Sequence, residues 1–306
     1  MRAARVLALA CLSLLCAAAR AQAPAAPPRP TPQEDFRRLC ATVSMNPIDG
    51  REMARRSECV LAGVLPSPNR LAEARGLARA ALQAGEPSGG LMLYLVFQAD
   101  PANQFLKDGK VDPAAYQRLA ARPIAERKDQ VEAIEALGFA AGRSQLPAAV
   151  LLAGYFHDTV APGNFHRVGA LAALVIRNGE HGPVVERLAR EADAVAQAAP
   201  QTKASIRGFF ETYGQALAIV KATYQQRSGG NSCQQPQLKS VTSGDIRGAE
   251  YLPLTGNMVK DSYLVHGQWT EVWTFDACGQ DVPLKVGFAA DGWGGAVSTV
   301  SYDKGD

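Results

Sequence analysis

Two short stretches hold residue types able to do chemistry. In YFHDTVAPGNFH, two imidazoles and a carboxylate stand close together as His157, Asp158 and His166. The intervening Pro-Gly turn could bring the imidazoles face to face, with Asp158 as a third ligand or as the partner orienting a ring. Their spacing of i, i+1 and i+9 matches no standard metal motif, however. A histidine at the end of a helix is also favoured by the helix dipole alone. The expectation is therefore a structural role, with no metal and no cofactor.

The second stretch is GQWTEVWTFDACG, residues 267–279. On a strand, Trp269, Glu271, Trp273 and Phe275 share one face, and Thr270, Val272 and Thr274 share the other. Two indoles flanking a carboxylate could form a binding groove for a sugar or a cation. A second acid such as Asp276 or Asp291 would turn that groove into a glycosidase pair, if the carboxyl groups stood roughly 5–10 Å apart across the bond to be cut. The alternative is structural: the tryptophan face covers the helices or a second sheet, with Glu271 at its rim meeting an Arg or Lys. The structural arrangement is the expected one.

Other chemistry is missing from the sequence. It contains no G-x-S-x-G, H-E-x-x-H or phosphate-binding glycine loop. The reading leans towards a protein without catalytic activity.

The termini and the cysteines bear on location. Arg2 and Arg5, the apolar run VLALACLSLLCAAA and the small residues Ala19 and Ala21 read as a signal peptide over 1–21. Cleavage after Ala21 removes three of the 32 Lys+Arg and leaves 29 basic against 29 acidic residues. A neutral chain without a long basic run lacks the electrostatic footprint of a nucleic-acid binder. Four cysteines remain, Cys40, Cys59, Cys233 and Cys278, with no C-x-x-C spacing. In an exported chain these are expected to be disulfides, and proximity favours Cys40–Cys59 and Cys233–Cys278. The localisation expected is periplasmic or secreted, with no membrane-spanning segment after cleavage.

Stepping along the chain, a Pro/Ala-rich disordered spacer covers 22–32. Residues 33–226 read as helix. Thr31-Pro32, Ser67-Pro68 and Asp112-Pro113 look like helix openings, and Gly85, Gly142 and Gly179 like helix stops. Alanines abound on the apolar stripes, so the helices are expected to approach closely as stacked hairpins. Residues 227–232 form a polar, glycine-bearing linker. The tail, 233–306, is strand-like: Val282, Leu284, Val286 and Phe288 alternate with less apolar neighbours, and Asp291-Gly292 and Gly294-Gly295 mark turns before a last strand at Ala296–Tyr302. The expected fold class is α+β, with an all-α array of repeat-like hairpins followed by a small, disulfide-tied antiparallel β domain.

AALQAGEPSGGLMLYLVFQAD (80–100), EALGFAAGRSQLPAAVLLAGYFHD (135–158) and ALAALVIRNGEHGP (170–183) echo one another. This pattern over about 70–200 resembles the Sel1-like and tetratricopeptide helical-repeat proteins, although the Gly-x-Gly turn typical of Sel1-like units is absent. Residues 262–300 resemble a C-terminal β module of uncharacterised exported bacterial proteins, a resemblance that implies no activity. Helical repeats offer a concave surface for partners. The expected function is thus a non-enzymatic interaction or envelope-assembly module with a protein partner in the cell envelope. A carbohydrate-binding or hydrolysing protein using the face of Trp269, Glu271 and Trp273 is the alternative.

Overall fold

The structure is a computed structural model that describes residues 31–107 and 110–302. The signal peptide and most of the spacer expected from the sequence lie outside the described residues.

The first helix, α1 (Pro32–Ala41), begins where its capping chemistry says it should. Thr31 Oγ1 accepts from the Glu34 N–H at 3.3 Å, and the Glu34 carboxylate accepts from the Thr31 N–H at 2.7 Å. Only Cys40 of this helix is buried, and its disulfide to Cys59 ties α1 to α2 (Gly50–Leu61). Asp112 likewise caps α5 (Pro113–Ala120). Ser67-Pro68 does not open a helix: α3 (Arg70–Gln83) starts later and is capped by Asn69. Gly85 and Gly179 stand at φ +81° and +83° just past helix ends, where a left-handed residue stops the helix. Gly142 instead remains inside α6 (Lys128–Gly142), and the left-handed position falls on Ser144.

Consecutive helices pack on each other from α2 through α3, α4 (Pro87–Ala99), α6, α7 (Leu146–Asp158), α8 (Asn164–Arg177) and α9 (Pro183–Ala198). The small residues set the spacing. A Cβ on Gly90 would lie 2.3 Å from the Ala136 carbonyl oxygen, and one on Gly89 would lie 2.6 Å from the Leu82 nitrogen. Helix α4 therefore crosses α6 and α3 with backbone against side-chain-free backbone. Between α4 and α5 a two-residue hairpin, β1 (Leu106–Lys107) with β2 (Lys110–Val111), lies beyond what the sequence pattern foretold.

Helix α10 (Ile206–Arg227) is the last, and the chain then changes to sheet. Strands β3 (Gln237–Ser243), β5 (Leu264–Ala277), β6 (Gln280–Ala290) and β7 (Ala296–Tyr302) pair antiparallel in that order, and β4 (Arg247–Tyr251) pairs with the first part of β5. The β5–β6 hairpin turns at Cys278 and Gly279, both left-handed, and Cys278 bridges to Cys233. The α+β organisation and both cysteine pairs are as the sequence implied.

The seam at 227–232 separates two kinds of secondary structure, but not two cores. One buried apolar cluster runs from α6 through α10 into β3, β5 and β6. Trp273 lies with its ring 5.0 Å from that of Phe209, and Phe275 lies 5.8 Å from Tyr213, both partners being on α10. Each such aromatic contributes roughly 1.5–3 kcal/mol by burial, so α10 and the sheet stabilise one another.

Candidate functional site

Trp269 and Trp273 are 2% and 0% exposed, which removes them as walls of an open groove. Glu271 is 0% exposed as well, a correction to the expectation of a rim carboxylate paired with Arg or Lys. Its partners are neutral donors. Trp269 Nε1 donates to Oε1 at 3.0 Å and Trp273 Nε1 to Oε2 at 2.8 Å. The Thr202 hydroxyl at 2.9 Å, the Lys203 N–H at 2.8 Å and the Ser243 hydroxyl at 3.4 Å also donate to it. The two indoles are buried without loss because one carboxylate accepts both N–H groups, and that carboxylate fastens β5 to the α9–α10 loop. Asp276 lies on the opposite, exposed face of β5 from the buried Glu271 and accepts from the Gly279 N–H in the hairpin turn.

His157 ends α7 with a carboxylate on each ring nitrogen: Asp158 at 2.7 Å on Nδ1 and Glu191 at 2.8 Å on Nε2. Burial alone would lower its pKa, but the two hydrogen-bonded carboxylates outweigh burial and hold it above the ordinary histidine value. An imidazolium donates to both neighbours at once, and a neutral ring serves only one. His166 lies with its ring tilted at 51° beside that of Phe165, centroids 4.3 Å apart, instead of joining His157. Among the described residues no cluster of three His, Cys, Asp or Glu is placed to hold a metal ion.

A concave feature lies elsewhere, where helices and sheet meet. A cavity of about 490 Å³ opens between α4, α5, α7, the start of α10 and the turn from β6 to β7. One wall is an aromatic group, Phe105, Tyr116 and Trp293, with centroids 5.0–6.2 Å apart. Tyr155 and Tyr263 stack at 6.1 Å along another wall, and the Tyr155 hydroxyl meets Ser262 at 2.9 Å. Val111 and Val297 form an exposed apolar rim.

Asp291 organises the β6–β7 turn. Its Oδ1 accepts from the N–H groups of Trp293 at 2.7 Å and Gly295 at 3.0 Å, and its Oδ2 accepts from the Tyr116 hydroxyl at 3.2 Å. A Cβ on Gly295 would sit 2.7 Å from that Oδ2, so any larger residue there would displace the Asp291 carboxylate. Behind the turn, the buried Arg127 guanidinium donates to the carbonyls of Gly292 at 2.6 Å and Ala120 at 2.8 Å, locking it against the end of α5. Burial, with the Asp291 charge next, pushes the Tyr116 phenol up to about 12.

Tyr263 is 3% exposed, and its hydroxyl has no hydrogen-bond partner among the described residues. Burial drives its pKa upward. Gln130, on the same cavity wall, is near enough to ease that shift but does not meet hydrogen-bond geometry. On the remaining side, Arg207 Nε donates to Glu211 at 2.8 Å and its Nη1 lies 4.0 Å from Asp158.

Of these residues, the sequence singled out Asp158 and Asp291, in other roles. Trp293 carried a signal that pattern reading passes over: a large aromatic inside Asp-Gly-Trp-Gly-Gly has no strand face to hide on. Tyr116, Tyr155 and Tyr263 look like ordinary core positions until the helices and the sheet are joined.

No family model matches the chain, and no curated protein or solved structure matches it.

Proposed function

We propose that this protein is an exported, non-enzymatic binding protein that engages a partner or ligand in the cell envelope through the cleft between its helices and its sheet. The observation that carries the reading is the aromatic-walled cavity of about 490 Å³, with Trp293 and Tyr116 held in place by Asp291. Large apolar concavities with a few fixed polar groups are where ligands bind. The carboxylates there are engaged in positioning: Asp291 holds a turn, Glu211 pairs with Arg207, and Asp158 pairs with His157. Export is supported by the leader-like sequence and by two disulfides, which persist in oxidising compartments. No helix among the described residues is long and apolar enough to cross a membrane. The helical-repeat and β-module resemblances belong to the same reading, as a scaffold that presents this cleft.

The test is a photo-crosslinking residue at Val297, on the exposed rim, in the chain expressed in its own cells. A discrete adduct in the envelope fraction, lost when Trp293→Ala is added, is expected. An adduct pattern unchanged by Trp293→Ala would remove the cleft as the binding site. Mass spectrometry of the same material should find Gln22 as the mature N-terminus, and an intact Met1 would sink export.

A further inference from the structure

The cleft joins aromatic faces to an excess of negative charge. Asp158, Glu211 and Asp291 line it, and Arg207 is the one cation among its lining residues. Arg207 is already engaged by Glu211 and Asp158. Two further cations stand behind the lining: Arg127, which donates to main-chain carbonyls behind the β6–β7 turn and whose charge reaches Asp291, and the His157 imidazolium on Asp158. Helix α7 also delivers its C-terminal end, the negative pole of its dipole, at Asp158 and Thr159.

The phenols of Tyr116, Tyr155 and Tyr263, their pKa values raised by burial, stay neutral and add no charge of either sign. They add π faces instead. A cation beside Phe105, Tyr116 and Trp293 would be held by ring quadrupoles and by Asp291 together.

The aromatic wall is independent of charge: Phe105, Tyr116 and Trp293 stand with ring centroids 5.0–6.2 Å apart, and the Tyr116 hydroxyl meets Asp291 Oδ2 at 3.2 Å. We infer that the cleft takes a protonated amine or guanidinium carried on an apolar or aromatic body, with the cation at Asp291 and the body against Phe105, Tyr116 and Trp293.

This inference rests on the cleft being the binding site, and its test separates the two. Phenethylammonium, phenethyl alcohol and 3-phenylpropionate share one body and differ in charge. Each is titrated into the mature, disulfide-intact chain, with Trp293 emission and calorimetry as readouts. Trp269 and Trp273 are buried, so a ligand-dependent change reports on Trp293. Phenethylammonium is expected to bind at least tenfold more tightly than the alcohol, and the carboxylate more weakly than either.

Asp291→Asn should erase most of that tenfold preference. Because Asp291 also holds the turn, Asp158→Asn serves as the companion variant and should reduce the preference about threefold without touching the turn. Equal or reversed preference between ammonium and carboxylate would overturn the inference while leaving the Val297 crosslink, and with it the cleft, intact. Binding of no probe, together with a Val297 adduct indifferent to Trp293→Ala, would overturn both.

Discussion

Trp273 and Glu271 lie two positions apart on β5, and the Trp273 indole donates to the Glu271 carboxylate at 2.8 Å where neither residue has any solvent exposure. Trp269 does the same from the other side at 3.0 Å. The carboxylate thus sits among donors only. Glu271→Gln keeps the shape but turns an NH₂ toward groups that themselves donate. The loss should be about 3 kcal/mol, the order expected when a buried, charge-assisted network is left unsatisfied. Trp273→Ala should cost about 3–5 kcal/mol through the cavity it leaves. Urea melts of both variants check this, and a Glu271→Gln loss below ~1 kcal/mol would mean that the carboxylate is not holding the loop.

Of the described glycines, Gly90 has the least room for a side chain. With the Ala136 oxygen 2.3 Å from a would-be Cβ, Gly90→Ala must push α4 off α6. Alanine favours helices by about 1 kcal/mol over glycine, yet the variant is expected to be less stable by about 1–3 kcal/mol, the range for overpacking. A variant more stable than the parent would show that the two helices have room.

The Cys233–Cys278 bridge closes a loop with a separation of 45 residues. The chain-entropy model assigns such a loop about 4 kcal/mol. Because the sheet shares its core with α10, the double serine variant should remain folded, melting roughly 10 °C lower. Circular dichroism melts decide this. Loss of the β signal at 25 °C would mean that the bridge, not the shared core, holds the sheet.

His157 makes stability depend on pH with a definite sign. Its folded pKa lies above the ordinary 6.5, so its contribution is complete below that value and fades as pH rises through the folded pKa. His157→Asn should therefore lower the melting temperature more at pH 5.5 than at pH 8.5. A deficit equal at both would show that the imidazolium between Asp158 and Glu191 contributes no charge-dependent stability.

Much of this architecture was legible in the chain because it rests on local rules. Thr31 and Glu34 cap a helix by their own side chains, and Gly85 and Gly179 stop helices by admitting left-handed φ. The alternation from Val282 to Phe288 assigns a half-buried strand, and the two cysteine pairs follow from proximity in the chain. Period-two alternation likewise put Trp269, Glu271 and Trp273 on one face.

What that face meets is a matter of residues far away in sequence. Glu271 was assigned to a rim because carboxylates are usually left in water. Thr202 and Lys203, some 69 and 68 positions earlier, supply the donors that make its burial stable. The cleft has the same origin, since Tyr116 reaches Asp291 across 175 positions and Arg127 reaches Gly292 across 165. Local sequence determines where a helix begins and which way a strand faces. Only the joining of α10 to the sheet decides which carboxylate is buried among donors and which is left facing a cavity.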